Sequence, residues 1–245
     1  RLHDSGFRGK GMMIAVFDGG FMNVDKIPAF HGIRLAGLKD FVVPPSDNIF
    51  SEMEHGTMVL SVVAANASNY YVGVAPEASY LLVRCEDERT ESLAEEDYWA
   101  EAAEYADSVG VDVINSSLGY HDFDDASTSH RYAEQDGQTA LISHTASMLA
   151  DKGIVCVNSA GNDGMGTWKR INFPADANNM IAADSANAIL HNGDPFNVEK
   201  LEKERLRLSN VFRDNGYYYY DKNNAAYVAD TISEPGKVLL HLQLA

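Results

Sequence analysis

Apolar and polar positions alternate along the chain in blocks that are easy to read. MMIAVFD (12–18) is a continuous apolar run closed by an acid and two glycines, the pattern of a strand buried on both faces. HGTMVLSVVAAN (55–66) places its apolar residues at helical spacing, with His55 at the start. ASYLLVR (78–84) reads as a second strand. SLAEEDYWAEAAEYADSVG (92–110) reads as a helix with a serine cap, acids in its first turns and a closing glycine. VDVINSSLG (111–119) predicts a third strand, ALISHTASMLADKG (140–153) a helix, and IVCVNSAGN (154–162) a fourth strand. Strands alternating with helices predict an α/β fold built on a parallel, doubly wound sheet, and sites in such sheets form beyond the carboxyl ends of the strands.

After about residue 181 the pattern changes. NVEKLEKERLRLSNVFRDNG (197–216) predicts a long helix with Val198, Leu201, Leu208, Val211 and Phe212 on its apolar side and Gly216 as its stop. YYYYD (217–221) and KVLLHLQLA (237–245) read as strands, joined through AAYVAD and the turn SEPGK. The expected organisation is therefore a large α/β domain over 1–181 and a small α+β module over 184–245.

Composition narrows the function. The formal charge is −17, and residues 1–177 hold 12 Lys/Arg against 27 Asp/Glu. A surface this acidic repels phosphate backbones, which argues against a nucleic-acid partner. Hydrophobic residues at 45% suffice for a packed core. No apolar run approaches the ~18–20 residues that span a bilayer. The opening RLHDSGFRGKG lacks the apolar centre of a signal peptide, so a targeting segment is expected to have been removed or never present. Cys85 and Cys156 sit in apolar runs and read as small buried hydrophobes, and no Cys/His spacing suits zinc.

The polar residues that remain gather at one rim of the predicted sheet. Asp18 ends the first strand; Asn115, Ser117 and Gly119 end the third; Asn162 ends the fourth; and His55 opens the helix after residues 41–54. Each has an ordinary structural explanation. An Asp at a strand end often caps the next helix, and NSAGNDG (158–164) has the composition of a plain turn. Together they place an acid, an imidazole and an amide on the same edge.

Four segments carry a resemblance. IAVFDGG with Asp18, HGTMVLSVVAA with His55, NSSLGY and SAGNDG resemble the subtilisin-like serine peptidases, in the order Asp, His, Asn, and GVAPEASYLLVR (73–84) is similar to the family's segment after the histidine helix. The resemblance runs from about residue 8 to about 181. It implies that His55 shuttles a proton between a serine hydroxyl and the leaving amine, that Asp18 holds its tautomer, and that Asn162 donates to the oxyanion. Ser117, Leu118, Gly119, Ala160 and Gly161 would bind the peptide or protein substrate, the SSLG stretch through its backbone. No cofactor is implied; the resemblance allows calcium, for which no site is legible, and no other metal. The family's nucleophile lies in a Gly-Thr-Ser-Met-Ala type segment, which this chain lacks. Beyond Asn162 the serines are Ser185, Ser209 and Ser233, none in that context.

The tail, through GDPFNVEKLEKERLRL, NGYYYY and ADT, resembles a POTRA module of outer-membrane assembly proteins. That implies outer-membrane protein contacts and an exported protein of the cell envelope, periplasmic or extracellular. Two functions follow: a subtilisin-like serine endopeptidase, or a non-enzymatic envelope protein in which a degenerate peptidase fold and the tail bind peptide or membrane-protein clients.

Overall fold

The computed structural model describes residues 3–183 apart from 47, 68, 69, 164, 165 and 179, together with 199–203, 206–207, 225–230 and 239–244. By its internal contacts the chain divides into His3–Ala186 and Asn187–Ala245 with Arg1–Leu2.

In the first unit, β1 (Met13–Asp18), β2 (Arg34–Asp40), α1 (His55–Ala64), the two-residue strands β3 (Asn66–Ala67) and β4 (Tyr71–Val72), and β5 (Ser79–Arg84) are followed by α2 (Ala94–Val109), β6 (Val113–Ser116), α3 (Leu141–Leu149), β7 (Val155–Ser159) and β8 (Ile181–Ala183). The sheet has the order β2-β5-β1-β6-β7-β8, and every neighbouring pair is parallel. Chain order therefore reverses around β1, whose carboxyl end lies between those of β5 and β6.

The continuous apolar runs have a direct cause. In β1, Ala15 and Phe17 join a core that holds Trp99, Ile114 and Phe173, while Ile14 and Val16 join another that holds Leu60, Tyr80 and Leu82. Successive side chains point to opposite faces, and both faces are covered, so no polar position alternates in. Phe17 meets Trp99 edge to face at 5.6 Å. Gly110, with φ +83°, ends α2 in the left-handed region and donates to the carbonyls of Ala106 and Asp107. Cys85 and Cys156 are buried and free.

Some elements depart from the sequence reading. β2 is an edge strand, exposed at Arg34, Leu35 and Ala36 and irregular between Leu35 and Gly37, so it lacks the buried signature of its neighbours. Ser92 does not cap α2 with its hydroxyl; the helix starts at Ala94 after Leu93, and Glu95 instead accepts from the Ser92 N–H. The third strand is shorter than VDVINSSLG, because Ser117–Gly119 leave the sheet after Ser116. The last strand of the sheet runs through residue 181 to Ala183.

In the second unit, residues 199–203 and 206–207 are helical. AAYVAD is not a connection but strand β9 (Ala225–Asp230), paired antiparallel with β10 (Leu239–Leu244). Each strand can give its full ladder of backbone hydrogen bonds to the other, which a connecting loop could not satisfy as well. The YYYYD and SEPGK segments, the Gly216 stop and Ser185, Ser209 and Ser233 lie outside the described residues. No helix among the described residues is long and apolar enough to cross a membrane.

Candidate active site

Asp18 is the last residue of β1 and is fully buried. Its carboxylate accepts from the Gly19 N–H at 2.9 Å and lies 2.9 Å from His55 Nδ1 through both oxygens. A carboxylate can only accept here, so Nδ1 carries the proton and Nε2 is the basic nitrogen. His55 begins α1, and its side chain is 42% exposed beside an acid that is not exposed at all. The approach of helix to strand depends on Gly56, where a Cβ would stand 2.3 Å from the Gly20 carbonyl and 2.8 Å from Asp18 Cβ. Thr57 Oγ1 ties the same turn to the Met22 carbonyl at 2.8 Å.

The Asp18 hydrogen bond raises the pKa of His55 above its ordinary 6.5. Partial burial opposes it, and the charges of Asp18, Glu86 and Glu54 reinforce it. Two further groups here escaped the sequence reading. Arg84, the residue paired with Asp18 in the β1–β5 register, is buried; its Nε donates to the Gly19 carbonyl at 2.9 Å and its Nη1 to Asp40 at 3.2 Å. Glu86 lies two residues on, with Oε2 3.1 Å from where a Gly19 Cβ would stand. Burial first, then Asp18 and Glu91, push its carboxyl up to about 7. In the text RCEDERTES it looks like one of several solvated acids; only the apolar run before it hints that the segment starts inside the fold.

His55, Val59, Asn115, Ser117, Ser159 and Asn162 line an open cleft of about 330 Å³ at the carboxyl ends of β6 and β7. The fold thus brings Asp18, His55, Ser117 and Asn162 to one place. Leu118, Gly119, Ala160 and Gly161 are not among the residues lining that cleft. The Leu118 side chain is buried and its carbonyl accepts from Asn158 Nδ2 at 2.9 Å. Ala160 is buried too. Gly119 and Gly161 both abut the side chain of Asn172, and Gly161 turns the chain after β7 with φ +88°. These residues form two backbone segments, 117–119 and 160–162, beside the cleft. Among the described residues no group of three or more His, Cys, Asp or Glu side chains converges as a metal site would require, so nothing there assigns calcium a place.

The family model for the subtilase family (Peptidase S8) matches residues 9–237. Subtilisin E of Bacillus subtilis (strain 168) is 30% identical over 190 residues, 76% of this chain and 44% of its own length. The thermophilic serine proteinase of Bacillus sp. (strain AK1) is 33% identical over 178 residues, 70% of this chain and 37% of its own. The major intracellular serine protease of Bacillus subtilis (strain 168) is 28% identical over 186 residues, 74% and 52%. This chain spans about half or less of the length of these three relatives. Among solved structures, the protease domain of PatA superposes with a TM-score of 0.52 at 24% identity, over 72% of this chain and 58% of that one. The prenylagaramide maturation protease PagA gives 0.52 at 23%, over 73% and 55%. At those identities the two structures speak for the α/β fold. Because the family match runs over nearly all of its residues, the chain belongs to the subtilase family.

Proposed function

We propose that this chain is the acid-, base- and oxyanion-bearing part of a serine endopeptidase. The observation that carries the reading is the pair of 2.9 Å contacts from Asp18 to His55 Nδ1, with His55 and Asn162 on the same cleft. A serine Oγ would add to the scissile carbonyl carbon while His55 Nε2 takes its proton. The carbonyl oxygen, now negative, would accept from the Asn162 amide, and Asp18 would stabilise the imidazolium. Collapse of the adduct breaks the C–N bond, and the amine leaves with the proton from His55. Water then repeats the sequence on the acyl-enzyme. The nucleophile is not assigned to any residue of this chain.

The substrate is a peptide or protein. Export to the cell envelope belongs to the same proposal; the relatives themselves include one named as intracellular, so the family does not decide the compartment. For residues 184–245 the proposal is a POTRA-like module contacting outer-membrane proteins, supported by the order helix, β9, β10. The family match through residue 237 favours instead a tail that is part of the peptidase.

The test is labelling of the full-length protein with a serine-directed phosphonate, followed by peptide mapping. One labelled serine, lost in the His55→Ala variant, supports the peptidase. A folded full-length protein without label overturns it in favour of a peptide-binding envelope protein, the reading favoured by the lack of a Gly-Thr-Ser segment here. Residues 1–245 alone are expected to take no label.

A further inference from the structure

His130 lies in the segment 121–139, which leads on from the 117–119 stretch beside the cleft and runs to the start of α3. Its side chain is 8% exposed, with the Phe173 ring centroid 4.2 Å away and the Phe123 ring edge to face at 5.5 Å. Each ring nitrogen faces an acid: Nε2 lies 2.5 Å from Glu96 Oε1, and Nδ1 lies 3.1 Å from Glu134 Oε2. Ionised carboxylates only accept, so both nitrogens carry protons and the ring is an imidazolium.

The two acids come from different elements and sit in different surroundings. Glu96, in the first turn of α2, is 2% exposed, and its other oxygen accepts from the Ile142 N–H in α3 at 3.3 Å. Glu134 belongs to the segment itself and its side chain is 31% exposed; it also accepts from the Arg131 N–H at 3.0 Å, closing the turn Tyr132–Glu134. The charge of Arg131 acts on Glu134. Asp136 is engaged elsewhere, accepting from the Gln138 and Thr139 N–H groups, and the His121 ring pairs with Asp122 and Asp163. The turn is joined to residues 168–171, because the Tyr132 hydroxyl donates to the Trp168 carbonyl and the Gln135 amide to the Ile171 carbonyl.

We propose that His130 is a proton-operated clamp: as an imidazolium it fastens the 121–139 segment to α2, and on losing its proton it lets the segment open at the Glu134 end. A neutral imidazole has one donor and one acceptor, so one nitrogen must then turn a lone pair toward a carboxylate. The remaining proton stays with Glu96, because water cannot replace the partner of a buried carboxylate. Glu134 can swing into solvent, and the turn it closes loses its tie to the ring. Burial opposes the charge on the ring, but the bond and charge of Glu96, then those of Glu134, outweigh it and hold the pKa above 6.5. The clamp is therefore fully present below about pH 6.5 and is lost as pH rises through the folded-state value. None of the three side chains lines the cleft, so the clamp stands apart from the peptidase reading, although the segment it fastens continues from Ser117, which does line it.

The test is amide hydrogen exchange of the full-length protein from about pH 5 to about pH 9, corrected for the intrinsic rate at each pH, with His130 followed by NMR titration. Peptides covering 130–136 are expected to lose at least about tenfold in protection across that range, the loss of one hydrogen bond to a charged group, with the midpoint at the measured His130 pKa. His130→Gln, neutral at every pH, is expected to show the low protection already at the acid end and no step. Glu134→Gln, whose amide can accept from Nδ1–H or donate to the bare nitrogen, is expected to lower the His130 pKa and to hold the turn in both forms. A wild type without the step, or with a His130 pKa at or below about 6.5, overturns the proposal. So does a step of wild-type size in either variant when circular dichroism shows it folded; the half-exposed position of Glu134 keeps the second variant decisive if the first does not fold.

Discussion

Glu95 offers a direct test of the charge arrangement beneath the site. It lies in the first turn of α2, fully buried, with Oε1 accepting from the Ser92 N–H at 3.3 Å and Oε2 without a partner. Burial first and then Glu91 raise its carboxyl from 4.5 to about 8; backbone N–H groups of Ser92 and Asp87 oppose the shift and Glu86 adds to it. The helix N-terminus favours a carboxylate, but by only about 0.3–1 kcal/mol, so burial wins. A folded-state pKa above the unfolded one means that stability is fully present below about pH 4.5 and is lost as pH rises through about 8. Holding its proton to that much higher pH corresponds to at most about 5 kcal/mol. Because Glu86 and Glu91 share the repulsion, about 2–4 kcal/mol of this falls to Glu95 alone. Glu95→Gln keeps the acceptor for Ser92 and replaces Oε2 by a neutral group. In urea unfolding followed by tryptophan fluorescence, wild type and variant should be nearly equal at pH 5. At pH 9 the variant should be the more stable by about 2–4 kcal/mol. A stability difference between the two proteins that stays the same from pH 5 to pH 9 would refute the reasoning, since it would mean that Glu95 ionises as an ordinary surface acid.

Elements buried on both faces were legible from the chain, and those with a different burial were not. The run through Ile14, Ala15, Val16 and Phe17 announces a central strand because both cores claim alternate residues. β2, with Arg34 and Lys39 in it and solvent on its free edge, carries no such run. AAYVAD looks like a connection because its alanines and closing acid give only a faint strand signal; its partner, LLHLQL, lies nine residues downstream. The site divides in the same way. Asp18, His55 and Asn162 stand out because each interrupts or follows an apolar element at one rim, and the family resemblance adds roles to positions already marked by chemistry. Glu86 and Glu95 were invisible because what distinguishes them is long-range. Glu86 matters through its charge on His55 and Glu95 through its burial, neither of which local periodicity encodes.

The remaining predictions concern the site in the full-length protein. Asp18→Asn should lower the His55 pKa, seen by NMR titration of the imidazole, and reduce kcat by about 10⁴, because the proton on Nδ1 loses its acceptor. Asn162→Ala should cut kcat by about 10²–10³, the loss measured for the equivalent donor of a subtilisin, a relative of this chain, with a smaller effect on KM. Gly56→Ala should destabilise the fold by about 1–3 kcal/mol in urea unfolding, since its Cβ would meet the Gly20 carbonyl at 2.3 Å, and a variant as stable as the wild type would show that α1 can move away from Asp18. Glu86→Gln removes a charge that raises the His55 pKa, so the rise of kcat/KM as His55 loses its proton should move to lower pH than in the wild type, while the plateau above it changes little. An acid limb that stays in place or moves upward would mean that Glu86 is already uncharged when His55 titrates, as a carboxyl raised to about 7 would be if its proton outlasts that of the imidazole.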